Sequence, residues 1–297
     1  MLSRSRLLLC STLGGVPTDV PKVMSVTVQR PQDGGIRQPA VRRPLTNPTG
    51  GTVKRIILVR NGLCDVMRDP AKIMDIPDWK YPVSEEGYKD QLALGRELAT
   101  TLQREPVYFY FSPYQRSKES LKALLEGALE VRRLNIVGCR EDARLRDEDL
   151  GRYASKEELY ATLREQGQYG PFFYRFPHGE SGADVGDRVS SFLDVFQREK
   201  SAFPPNTNVV IMTHDLTIRM FVKRWFHLTV DTFHKMYSVP TSTPVELFRT
   251  PHDHFKFKLT HESTQLLGLP QSLKDVEGYS YRNTQLLGSL STGAPFL

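Results

Sequence analysis

The chain has 297 residues, a formal net charge of +6 and 39% hydrophobic residues, enough for one large domain or two small ones. No apolar run approaches the ~20 residues needed to cross a bilayer. Its three cysteines, Cys10, Cys64 and Cys139, are odd in number and lack metal-ligand spacing, which argues for a reducing compartment and against a disulfide or zinc framework. The charge is localised: residues 1–53 hold seven basic and two acidic groups, leaving 33 basic against 32 acidic in 54–297, so the net charge does not argue for a nucleic-acid-binding face on the folded part.

Residues 1–17, MLSRSRLLLCSTLGGVP, contain arginines, serines and leucines with no acid before Asp19. That is the composition of a mitochondrial transit peptide, and the apolar centre from Leu7 to Cys10 is short for a secretory signal. A matrix location is therefore expected. Residues 18–53 are rich in proline and glycine and cannot build a packed core. They read as a basic extension, either an arm along a partner or along RNA phosphates, or a solvated tether. A folded domain is expected over 54–260 and a polar tail over 261–297.

Ile56 to Val59 is an aliphatic run of the kind buried on both faces of a parallel sheet. It stops at Arg60-Asn61-Gly62, where glycine permits a tight turn. Leu63 to Pro82 is a loop with Asp-Pro and Ile-Pro breaks. Ser84-Glu85-Glu86 signals a helix start, and the helix runs to about Gln103 with Leu92, Leu94, Leu98 and Leu102 as its stripe. Val107–Phe111 is a strand, Gln115 to about Leu129 a helix, and Leu134–Val137 a short strand. Helices follow at Glu157–Glu165 and Asp184–Glu199, then a strand at Asn208–Thr213 and a helix at Leu216–His227. Val245–Arg249 and Phe255–Leu259 alternate like a hairpin, and the chain from His261 onward reads as irregular. Thr-Gln-Leu-Leu-Gly occurs at 264–268 and 284–288, too little for a solenoid but open to docking or simple packing. Strands alternating with helices predict an α/β fold, a three-layer sandwich with a mostly parallel central sheet.

Three of these strands end in polar clusters: Arg60-Asn61-Gly62, Ser112-Pro113-Tyr114-Gln115-Arg116 and Thr213-His214-Asp215. In open α/β sheets ligands bind beyond the carboxyl ends of strands. Two guanidiniums and an imidazole gathered there suit a phosphoryl group, and Arg116 would lie in a first helical turn, where backbone N–H groups favour anions. His252-Asp253-His254 lacks a third ligand and reads as a solvated turn rather than a metal site. Arg219, Lys223 and Arg224 beside Trp225, Phe226 and His227 read as cations at a helix C-terminus, with RNA contact as the other option. No metal and no cofactor is expected.

Over about residues 54–250 the chain resembles the histidine phosphatase superfamily, the phosphoglycerate-mutase-like proteins. The resemblance is carried by Arg60-Asn61-Gly62 after its strand, Val83-Ser84-Glu85-Glu86-Gly87 with Gln91, and the run from Ser112 to Ser120. Leu145-Arg146-Asp147-Glu148-Asp149-Leu150-Gly151, Phe176-Pro177-His178-Gly179-Glu180-Ser181 with Asp184 and Arg188, and Met212-Thr213-His214 complete it. It implies a sheet flanked by helices with a phosphate pocket at its carboxyl edge, lined by Arg60, Arg116 and His214. The family's first motif is Arg-His-Gly with histidine as nucleophile. Asn61 stands in that place, and an amide nitrogen is neither basic nor nucleophilic. Asp147 stands where the family usually has its glutamate acid, Asp215 replaces a glycine, and Leu63 and Met67 replace polar residues. The resemblance thus implies a degenerate catalytic set of Asn61, Asp147 and His214.

The expectation is a catalytically inactive member serving as a structural or binding component of a mitochondrial assembly, such as the mitochondrial ribosome or an RNA-processing complex. The alternatives are a phosphatase or mutase with a non-standard site, and a sensor of a phosphorylated metabolite. Arg60, Arg116 and His214 either hold a phosphorylated ligand or serve buried ion pairs with Asp215 and Asp147.

Overall fold

The computed structural model describes residues 53–249 and 257–270. The proposed transit peptide, all of the extension but Val53, the His252-Asp253-His254 cluster and the second Thr-Gln-Leu-Leu-Gly copy lie outside the described residues. One six-stranded sheet runs in the order β3-β2-β4-β1-β5-β6. Its strands are β1 (Val53–Arg60), β2 (Pro106–Phe111), β3 (Asn135–Glu141), β4 (Thr207–Thr213), β5 (Pro244–Arg249) and β6 (Phe257–Leu259). The contacts of β1 with β4, β4 with β2 and β2 with β3 are parallel, while β5 and β6 add an antiparallel margin.

The aliphatic run in β1 divides between two cores, because successive strand residues point to opposite faces. Ile56 and Leu58 join a cluster with Val185, Phe192, Phe196, Ile218 and Phe221. Ile57 and Val59 join one with Leu94, Leu98, Leu102, Leu121 and Leu124. The first cluster is covered by α5 (Gly182–Glu199) and α6 (Asp215–Trp225), the second by α2 (Glu85–Leu102) and α3 (Gln115–Val131). Burial on both faces is what the unbroken apolar sequence requires. No helix among the described residues is long and apolar enough to cross a membrane.

Local differences from the sequence reading have plain causes. The loop after β1 contains a single-turn helix, α1 (Asp65–Arg68), and 3₁₀ turns at Pro70–Met74 and Asp78–Lys80. Strand β3 extends through Glu141, past the expected end at Val137. It is an edge strand, exposed enough to carry Arg140 and Glu141, so hydrophobicity alone ends it too soon. Residues 156–169 form α4 (Lys156–Tyr169), and α7 (Val230–His234) follows α6. The polar chain after 260 is not irregular at its start: α8 (His261–Leu266) is capped by Thr260, whose side chain accepts from the Ser263 N–H. Leu267 and Leu269 then bury themselves in the first core. So short a helix shows no full apolar stripe, which hides it from periodicity.

Candidate functional site

The ends of β2, β4 and β1 lie side by side, since these strands are neighbours in the sheet. Asn61 continues the ladder, its N–H donating to the Thr213 carbonyl at 2.9 Å, and the Ser112 N–H donates to the Met212 carbonyl at 3.0 Å. The end of β1 is further fixed by Gln91, whose Nε2 donates to the Arg60 carbonyl at 3.0 Å. Gly62 meets Gly87 of α2 so closely that a Cβ on Gly62 would sit 2.6 Å from the Gly87 oxygen. Both glycines are therefore needed for this backbone approach.

Arg116, in the first turn of α3, is only 2% exposed. Its Nη1 donates to the carbonyl oxygen and Oδ1 of Asp78, both at 2.9 Å, and its Nη2 to Asp78 Oδ2 at 3.0 Å and Asp147 Oδ2 at 2.9 Å. The guanidinium also lies 4.8 Å from the Tyr114 ring centroid. A planar fork meeting a carboxylate through two parallel bonds is among the strongest side-chain pairings available. Asp78 comes from the loop after β1, and no sequence feature beyond the Ile-Pro break before it marked it for this role.

His214, fully buried at the N-cap of α6, has Nε2 2.8 Å from Ser112 Oγ and 3.3 Å from Ser117 Oγ. Its Nδ1 lies 3.3 Å from Asp147 Oδ2, at ion-pair distance but without hydrogen-bonding alignment. Asp147, His214 and Ser112 thus fall in the order of a hydrolase triad. The hydroxyl at its end is fully buried and lines no part of the adjacent cavity, so the row fixes the ring rather than presenting a nucleophile. Burial pushes the His214 imidazole below its ordinary value, leaving it neutral at pH 7. Burial works to raise the Asp147 carboxyl too, but the facing His214 and Arg116 hold it well below the usual carboxylate range. With the ring neutral, Arg116 is the charge that keeps Asp147 ionised.

Asp147 is itself held by a scaffold from the other motifs. Arg188 donates to the carbonyls of Arg144, Arg146 and Asp147 at 2.7, 2.8 and 3.0 Å, while Glu180 accepts from Arg188 at 3.2 Å. Ser181 and Asp184 form a reciprocal capping box at the start of α5, which sets the helix that carries Arg188.

Arg60 stands apart. Its Nη1 donates to the Val239 carbonyl and, at 3.3 Å, to Ser238 Oγ, and its Nη2 lies 3.8 Å from Met67 Sδ. Among the described residues it forms no ion pair. Asp215 does not pair with it but accepts from Arg219 at 2.8 Å and from the Val239 N–H at 2.6 Å. The ion-pair alternative is therefore met for Arg116 by Asp147, which the neutral His214 ring also faces, while Asp215 serves Arg219 instead. Arg219 also lies over the Phe233 ring and Lys223 over Phe172, so these two cations of the basic-aromatic helix are engaged in packing.

A cavity of about 130 Å³ lies among Arg60, Arg116, Asp78, Asp147, Glu148 and Asp215. It shares Asp78 and Leu150 with the lining of a neighbouring cleft of about 900 Å³ beside Trp79, Tyr114, Asp149, Arg152, Tyr153 and His178. Neither Asn61 nor His214 lines the cavity; both are fully buried. Asn61 donates from Nδ2 to the Gly62 carbonyl at 2.9 Å, and its Oδ1 has no hydrogen-bond partner. Glu148, which the sequence reading did not single out, is pushed up to about 8, chiefly by desolvation and then by Asp147 and Glu180.

Residues 56–262 match the family model of the histidine phosphatase superfamily, branch 1. The chain is 38% identical over 192 residues to phosphoglycerate mutase-like protein AT74 of Arabidopsis thaliana, covering 61% of this chain and 60% of that one. It is 28% identical over 208 residues to broad-range acid phosphatase DET1 of Saccharomyces cerevisiae, covering 52% of this chain and 61% of that one. The chain thus spans about six-tenths of the length of these two relatives. Among solved structures, a mycobacterial glucosyl-3-phosphoglycerate phosphatase superposes with a TM-score of 0.54 at 19% identity, over 70% of this chain and 97% of that one. At that identity the likeness establishes the shared fold.

Proposed function

The chain belongs to the histidine phosphatase superfamily, branch 1, and from that membership we propose that it is a non-reacting member, a structural or binding component of a mitochondrial assembly such as a ribonucleoprotein. One observation carries the loss of chemistry. On the family motif Asn61 occupies the nucleophile's place, and here it is fully buried, with its amide nitrogen given to a backbone carbonyl. An amide cannot bond phosphorus and then leave. Arg116, the second arginine of the inherited pocket, adds support, because its terminal nitrogens are already bonded to two carboxylates. The mitochondrial setting is supported by the composition of residues 1–17, and the assembly role by the basic extension after it.

The competing reading, a phosphatase or mutase-like enzyme with a non-standard site, is favoured by the name of the yeast relative, a broad-range acid phosphatase. Turnover decides between them. The purified chain is expected to hydrolyse p-nitrophenyl phosphate no faster than buffer across pH 4–9; vanadate-sensitive hydrolysis that follows the protein through purification overturns the proposal. For the assembly, the chain captured from mitochondria is expected to bring ribosomal proteins or RNA with it. Migration in a mitochondrial lysate as a free monomer overturns that part.

A further inference from the structure

We infer that Asp78 is the residue that decides what the inherited arginine site accepts: it occupies the Arg116 fork as an internal anion and so excludes phosphate from the cavity. The inference rests on the reading of the site as non-reacting and adds a second, separable cause for the lost chemistry.

The geometry is that of a ligand in its site. Arg116 is 2% exposed and offers its fork toward the cavity, where both Asp78 carboxylate oxygens meet it at 2.9 and 3.0 Å. A guanidinium fork matches carboxylate and phosphate oxygens alike, so the two compete for one position. Asp78 has the advantage of being tethered, which places it at an effective concentration of roughly millimolar or more. The charges on the cavity wall point the same way. Arg60 and Arg116 face Asp78, Asp147 and Asp215, so an arriving phosphate would meet more carboxylate than guanidinium.

Asp78 is also a displaceable occupant. Its side chain is 27% exposed against 3% for Arg116. It belongs to a 3₁₀ turn of three residues, Asp78–Lys80, whose Trp79 is 53% exposed. The segment before it is tied down through Tyr81, whose hydroxyl donates to the Lys72 carbonyl, and through Tyr160, which donates to Asp69 at 2.8 Å. Removing the Asp78 charge therefore takes one of two carboxylates off the fork, leaving the Asp78 carbonyl on Nη1 and Asp147 on Nη2, while these ties keep the loop in place. Arg116 retains Asp147 as a counter-charge, so the fold does not depend on Asp78 alone.

Calorimetric titration of the full chain with inorganic phosphate, and in parallel with orthovanadate, tests this. The Asp78→Asn variant is expected to bind both at least ~10-fold more tightly than the wild type, the scale of one charge-assisted pairing. Adding Arg60→Ala to Asp78→Asn is expected to remove the gain. Wild-type protein that binds phosphate as tightly as Asp78→Asn overturns the inference. So does an Asp78→Asn protein that melts cooperatively, shows the wild-type circular dichroism spectrum and gains no binding. The outcomes separate from those of the functional proposal: hydrolysis by the wild type defeats that proposal, whereas binding gained without turnover leaves both standing.

Discussion

Two arginines follow strands of the same sheet, Arg60 closing β1 and Arg116 in the first turn of the helix after β2, and they live under opposite conditions. Arg116 is buried and bonded to two carboxylates, with Tyr114 against its face. Arg60, at the end of β1, has a backbone carbonyl, a serine hydroxyl and a thioether for partners, and no carboxylate among the described residues. Both would serve one phosphate in a working pocket. Here they differ: Arg116 is part of the frame, and Arg60 has no ion-pair partner among the described residues. The contrast shows how two arginines at one sheet edge can be given different kinds of partner.

The largest effect that would sharpen this contrast comes from Arg116→Ala. Removing the guanidinium leaves Asp78 and Asp147 as carboxylates facing each other without a cation, and breaking such a pair costs about 3 kcal/mol or more. Urea unfolding is expected to show a loss of that order. The double variant Arg116→Met with Asp78→Asn is expected to be clearly less destabilised than Arg116→Ala, because it removes one of the stranded charges as well as the cation. Equal losses in the two variants would mean that Arg116 matters through packing alone.

How much of this could be read beforehand follows from the kind of signal involved. The layers were legible, because the run Ile56–Val59 has to be covered on both faces wherever it folds. The three strand ends were legible too, since each apolar run stops abruptly at a polar residue, Arg60, Ser112 or Thr213. Asp147 as the partner of Arg116 and His214 was within reach, being one of two carboxylates weighed for that role. Asp78 was not. It lies 38 residues from Arg116 in a loop without periodicity, and one aspartate among many carries no mark of the long-range pair it will form. Glu148 was hidden for another reason: its environment, not its spacing, makes it unusual, and desolvation exists only once the chain is folded. The polar sequence after residue 260 misled because a six-residue capped helix buries Ser263 and Thr264 rather than an apolar stripe, with the buried leucines lying beyond it.

A smaller effect probes the carboxylates around the same cavity. Glu148 is raised to about 8 against an ordinary 4.5, mainly by burial, with Asp147 and Glu180 adding to it and Arg188 and Arg219 opposing. The folded state therefore binds more protons than the unfolded state across that window. Stability from this group is fully present below about pH 4.5 and is lost as pH rises through about 8. Glu148→Gln removes the dependence, since glutamine does not ionise. The variant is expected to gain on the wild type with rising pH, by about 2 kcal/mol at pH 6.5 relative to pH 5. Melting curves at both pH values check it; a constant difference would show that Glu148 is hydrated and outside the charge balance of the cavity.

The smallest expected effect is the one that tests the comparison most directly. Arg60→Ala removes hydrogen bonds to the Val239 carbonyl and Ser238 hydroxyl, but it strands no carboxylate, because Asp215 on the same cavity wall keeps Arg219 and the Val239 N–H. The guanidinium itself lines a cavity of about 130 Å³, so its removal leaves room for water beside the carbonyl, and the loss is that of a neutral contact, about 1 kcal/mol. Double-variant analysis is expected to find Arg60→Ala and Arg116→Ala nearly additive, as for groups with no common partner. Coupling between them would mean that the two guanidiniums still act on one shared anion, and the divergence drawn between them would then fail. Additivity would place Arg60 outside the frame, as the cation whose neighbours are cheap to replace.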